Sequence, residues 1–163
     1  MFLHGYCDAS YGNCLDDRRS FSGYIFKLND CTISWKARKQ RSVALSTCEA
    51  EYMALALATK QYDWLSRGIN CLLQEEIPMA ISTDNNAAID IAHNPRLTDA
   101  SKHIDISYHY TREHIINNSL NLLHVPSAEN LADICTKGWA RPRLNHLCIC
   151  IFGTKVRRDD EIL

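Results

Sequence analysis

The sequence contains no hydrophobic run approaching the roughly 20 apolar residues that a membrane-crossing helix needs, so no membrane partner is expected. Neither sign of charge dominates. With 18 Lys+Arg against 19 Asp+Glu the formal net charge is −1, and bulk charge points to no polyanion or polycation. Glycine and proline are scarce, at 6 and 4 in 163 residues, which excludes a collagen-like or Pro/Gly-rich chain. There is no Cys-x-x-Cys pair. His146, Cys148 and Cys150 sit at every second position, closer than zinc ligands are usually paired, and are read as a short apolar segment that carries Cys. The opening MFLHGYCDAS has no basic stretch followed by an apolar one, the mark of a secretory signal. The expectation is an intracellular chain, cytoplasmic or nuclear, whose 8 Cys are free thiols.

What is present is ordinary globular material, 46% hydrophobic and 23% charged, enough for one domain with a real core. Residues 2–8 read as a strand ending at an acid, followed by a polar loop in which Asp17, Arg18 and Arg19 are expected to pair. Residues 21–28 and 31–36 read as a hairpin turning at Asn29-Asp30. Apolar residues from Ala50 to Leu72 recur with helical period, giving a long amphipathic helix over 47–73, capped by Ser46 or Thr47. A short strand (79–83) follows, then a helix capped by Asn85 or Asn86, a helix over 104–117, a strand over 120–125 and a short helix over 129–137. This order predicts an α/β fold, a mixed sheet covered by helices. The domain is expected over 1–147, with 148–163 as a C-terminal tail.

Four acids stand at the ends of these elements: Asp8 closes the first strand, Glu51 lies in the first turns of the long helix, Asp84 closes strand 79–83 and Asp133 lies in the last helix. Sites in open α/β sheets form at the carboxyl ends of strands. Converging carboxylates repel, and a hard divalent cation with oxygen ligands removes that cost. Taken singly, each acid reads as a solvated loop residue or a helix cap; only the joint pattern points to a site.

Lys36, Arg38, Lys39 and Arg41 form a run of cations without an acid between Ser34 and Leu45. With Gln40 they are expected on a loop after the hairpin, where any polyanion contact would begin. Ser46 and Thr47, at the helix start, read equally as caps or as phosphate donors. Trp35 reads as a sheet or core aromatic.

The segments GYCDAS, DDRRSFSGY, ISWKARKQRSVALSTCEAEYMAL, TDNNAAI, KHIDISYHYTRE and VPSAENLADICTK occur in this order. Together they resemble the ribonuclease H domain of a copia-type LTR retrotransposon polyprotein. The resemblance implies a ribonuclease H-like three-layer fold, a mixed five-stranded sheet with helices on both faces. It implies that Asp8, Glu51, Asp84 and Asp133 are catalytic and bind two Mg²⁺ ions, with Mn²⁺ as a substitute, for cleaving the RNA strand of RNA–DNA hybrids. It places Lys36, Arg38, Lys39, Gln40, Arg41, Ser46, Thr47, Lys102 and His103 as candidate nucleic-acid contacts. It also implies a reverse transcriptase domain of the same polyprotein as a partner. The histidine that many cellular ribonucleases H carry in a loop before the last acid is missing from VPSAEN. The competing expectation is an inactive or domesticated remnant serving as a nucleic-acid-binding or protein-interaction module.

Overall fold

A computed structural model describes residues 1–93 and 105–153. Five strands form one sheet in the order β3-β2-β1-β4-β5, where β1 is Leu3–Ser10, β2 Phe21–Leu28, β3 Cys31–Lys39, β4 Met79–Thr83 and β5 Asn121–His124. β1, β2 and β3 are antiparallel neighbours; β4 lies parallel to β1, and β5 parallel to β4. The sheet is therefore mixed, and the parallel half begins where the long helix carries the chain from β3 to β4.

That helix, α1 (Thr47–Leu73), starts at Ser46, whose hydroxyl accepts from the Glu49 N–H while the Glu49 carboxylate accepts from the Leu45 N–H at 2.7 Å. This is a reciprocal cap, and it settles the start at Ser46 rather than Thr47. Leu55, Ala58, Tyr62 and Leu65 of α1 pack with Leu3, Cys7, Phe26 and Ile81 on one face of the sheet. The helices α2 (Asn86–His93) and α3 (Asp105–Ile116) complete that layer beside α1. Asn85 caps α2 by accepting from the Ala88 N–H at 2.9 Å.

The opposite face is covered by Leu131, Leu147 and Ile151, which pack on Ile25. Leu131 belongs to a 3₁₀ turn (Leu131–Cys135), and Leu147 and Ile151 to α4 (Arg141–Phe152). Alternation along the strands sends Cys7 and Tyr24 to the first face and Tyr6 and Ile25 to the second. The result is the expected three-layer α/β arrangement.

Three expectations are corrected. The last short helix is two 3₁₀ turns (Ser127–Glu129 and Leu131–Cys135), because Asn130 divides it: its backbone N–H closes the first turn on the Ser127 carbonyl, and its side chain accepts from the Ala132 N–H to cap the second. The hairpin strand runs past the expected end at Lys36 to Lys39, paired with Phe21, and takes Arg38 and Lys39 off the expected loop. The expected domain edge at 147 falls inside α4, which continues to Phe152 with Ile151 buried and ends at Gly153, φ 74. Trp35 is on the sheet but 61% exposed, so it is no core residue; its ring meets Phe152 edge-on.

Candidate active site

β1 and β4 run parallel, so their carboxyl ends deliver Asp8 and Asp84 to the same edge of the sheet. Glu51, one turn into α1, reaches that edge from the helix layer: its Oε2 accepts from the Ala9 backbone N–H at 3.0 Å. Carboxylate oxygens of Asp8, Glu51 and Asp84 lie within 4.8 Å of one another. Asp8 and Glu51 are buried and Asp84 is half-buried.

Burial, and then the charges of Asp8 and Asp84, push the Glu51 carboxyl up to about 9. Burial also raises Asp8, against the opposing pull of Thr136 and Lys137. The donor set is all oxygen, and it is strongly self-repelling when ionised. Both properties fit a hard divalent cation, whose charge would offset the burial and the repulsion that together raise the Glu51 carboxyl.

Asp133 is not part of this triad. It is buried in the 3₁₀ turn behind Asp8, with Lys137 between them: Lys137 Nζ lies 3.1 Å from Asp8 Oδ1 and 2.6 Å from Asp133 Oδ1. Burial alone would lower the Lys137 ammonium, but Asp133 and Asp8 outweigh it and hold it above its ordinary value. Asp133 also pairs with Arg143 at 3.5 Å, and the Thr136 hydroxyl donates to the other oxygen of Asp8. Buried Asn130 fixes this turn to the sheet by donating to the Cys7 carbonyl at 2.9 Å.

Thr136 and Lys137 were not singled out from the sequence. A signal existed: Lys137 is four positions after Asp133, a spacing that brings side chains together on a helical turn. Its second partner, Asp8, carries no such signal.

The expected nucleic-acid contacts divide. Arg38 and Arg41 line a groove between the end of β3 and α1, together with Lys60, Met53 and Leu57. Lys60 is a cation the sequence reading missed, although 53, 57 and 60 share a helical face. Lys36 is exposed on β3. Lys39 is held by Asp17 at 2.9 Å, and Arg19 pairs with the same carboxylate at 3.5 Å, so the expected pairing in the first loop includes a strand cation. Gln40 is a correction: it is buried, and its amide donates to Ser22 Oγ at 2.8 Å and to the Ala50 carbonyl at 3.0 Å, locking β2 to α1. Ser46 is engaged as the cap, and Thr47 is exposed in the first turn. Lys102 and His103 lie outside the described residues.

Among the described residues no helix is long and apolar enough to cross a membrane, and the 8 Cys are free.

No protein-family model matches the chain. The fold is nevertheless shared with solved proteins: a ribonuclease H1 (LC11), solved in complex with an RNA/DNA hybrid, superposes with a TM-score of 0.60 over 82% of this chain and 93% of its own, at 14% identity. The fold is that of the ribonucleases H.

Sequence relatives make the relationship narrower. The chain is 38% identical over 135 residues (83% of its length) to the retrovirus-related Pol polyprotein from transposon TNT 1-94 of Nicotiana tabacum. It is 34% identical over 162 residues (96%) to that from transposon RE1 of Arabidopsis thaliana. The chain is thus a homologue of one segment of copia-type transposon Pol polyproteins, as its motifs indicated. It spans 10% and 11% of the length of these two relatives.

Proposed function

We propose that this chain is a divalent-metal-dependent ribonuclease H that hydrolyses the RNA strand of RNA–DNA hybrids, in a Pol polyprotein setting that includes reverse transcription. The observation that carries the reading is the buried Asp8–Glu51–Asp84 triad at the carboxyl ends of β1 and β4. In a ribonuclease H fold, a self-repelling oxygen cluster at that edge has a chemical purpose, and as a structural device it only costs stability.

Asp8, Glu51 and Asp84 would hold Mg²⁺, or Mn²⁺ in its place. The metal, when bound, supplies positive charge for the charge that builds on the attacked phosphodiester. The chain's own residues do the rest. The Ala9 N–H fixes the Glu51 carboxylate, and Thr136 fixes that of Asp8, so the ligands are oriented before substrate arrives. Water adds to phosphorus and the bond to the 3′ oxygen breaks, leaving a 5′-phosphate and a 3′-hydroxyl. Arg38, Arg41 and Lys60 give the groove beside α1 the charge to follow a phosphate backbone. Lys36, Ser46 and Thr47, exposed nearby in sequence, complete the proposed contact surface on this side.

Incubation of the chain with end-labelled RNA, alone, as RNA duplex and as RNA–DNA hybrid, with Mg²⁺ or with EDTA, tests the reading. Cleavage confined to the RNA of the hybrid and abolished by EDTA is expected. Binding of the hybrid without any cleavage would favour the remnant, a nucleic-acid-binding module.

A further inference from the structure

The ammonium group of Lys137 stands between two carboxylates that the two-ion expectation assigns to metal. It lies 3.1 Å from Asp8 Oδ1 and 2.6 Å from Asp133 Oδ1, while Asp133 contributes no oxygen to the Asp8–Glu51–Asp84 triad. The geometry points to Lys137 as a tethered cation that takes the place of a second ion. The triad then holds one divalent ion, and the Asp8–Asp133 side of the site is neutralised from within the chain. This rests on the proposed metal-dependent reading of the same site.

Three features support it. The two acids bridged by Lys137 are buried to within a few per cent, so their charges need a partner near at hand. Lys137 is itself about a third exposed, so its side chain is not sealed in a core. Arg143 approaches the second oxygen of Asp133 at 3.5 Å and stacks over Trp139, whose indole N–H donates to the Asp133 carbonyl at 3.1 Å. Asp133 is therefore held by two cations, leaving it little capacity for a third. Its role is to position Lys137 against Asp8.

An ammonium is a compact point charge with a flexible stem, so it neutralises two carboxylates without imposing octahedral geometry. A divalent ion entering between Asp8 and Asp133 has to displace it. The tethered charge is present at high local concentration, and the ion competes at a disadvantage.

The test is the stoichiometry of Mn²⁺ binding to the full chain, by calorimetry and by electron paramagnetic resonance of free Mn²⁺, without nucleic acid. Wild type is expected to bind one ion, with a second at least tenfold weaker. Lys137→Met is expected to bind two ions of comparable affinity, and Lys137→Arg to behave as wild type. Lys137→Gln serves as a second neutral variant, with circular dichroism confirming that each is folded. Two equivalent ions in wild type, unchanged in Lys137→Met, would overturn the tethered-cation role and leave the metal site standing. No bound ion in any of the proteins would overturn both.

Discussion

Gly23 on β2 lies against Cys135 of the 3₁₀ turn so closely that a Cβ at position 23 would be 2.5 Å from the Cys135 Cβ and 2.9 Å from Thr136 Cγ2. Gly23 is also the cross-strand partner of Asp8. The missing side chain is what lets the turn carrying Asp133, Thr136 and Lys137 settle onto Asp8. Gly23→Ala is expected to push the turn away, at a cost of about 1–3 kcal/mol from overpacking. For a chain of this size that lowers Tm by roughly 2–4 °C per kcal/mol, which a thermal melt reads directly. An unchanged Tm would mean that the turn is not seated on β2 in this way.

Glu51 makes stability depend on pH in a fixed direction. Its carboxyl, ordinarily near 4.5, is held up to about 9 in the metal-free fold by burial and by Asp8 and Asp84. Across that interval the folded chain keeps a proton that the unfolded chain releases, so stability falls as pH rises from 4.5 towards 9. In EDTA, Tm is expected to decline over this range. Glu51→Gln, which carries no charge to bury, is expected to flatten the decline and to melt above wild type near its upper end. A decline of the same slope in Glu51→Gln would assign it to other groups.

The basic groove predicts a salt effect. Arg38, Arg41 and Lys60 offer charge to a backbone rather than hydrogen-bonding geometry to base edges. Each replacement by Ala is expected to weaken hybrid binding independently of sequence and to reduce the slope of log K against log salt by about 1. Gln40→Ala, by contrast, is expected to lower Tm with little change in that slope, since its amide bonds are internal. Titration by fluorescence anisotropy at several salt concentrations separates the two outcomes.

Much of this site was legible from local pattern. Asp8 lies near the end of β1 and Asp84 directly follows β4, and helical spacing separates Glu51 from Glu49, which is used in the cap. The long helix follows from its residues alone, whereas its start at Ser46 rather than Thr47 is fixed by the hydrogen bonds of the folded cap. The cations Arg38 and Lys39 read as loop because polar residues dominate there, yet pairing with β2 extends the strand to Lys39. That pairing is a tertiary effect which overrides local propensity. Lys137 and Asp8 are 129 residues apart, and their contact depends on how closely the 3₁₀ turn approaches β2. Gln40 is polar within a basic run, and only the packing of β2 against α1 shows it to be internal.

The most direct test of the account is single-turnover cleavage of an RNA–DNA hybrid in Mg²⁺ by wild type and by Asp8→Asn, Glu51→Gln and Asp84→Asn, with the melting temperature of each measured alongside. Each substitution is expected to lower the rate by at least a hundredfold while the variant stays folded and still binds the hybrid. Cleavage within tenfold of wild type by any of the three folded variants would contradict it.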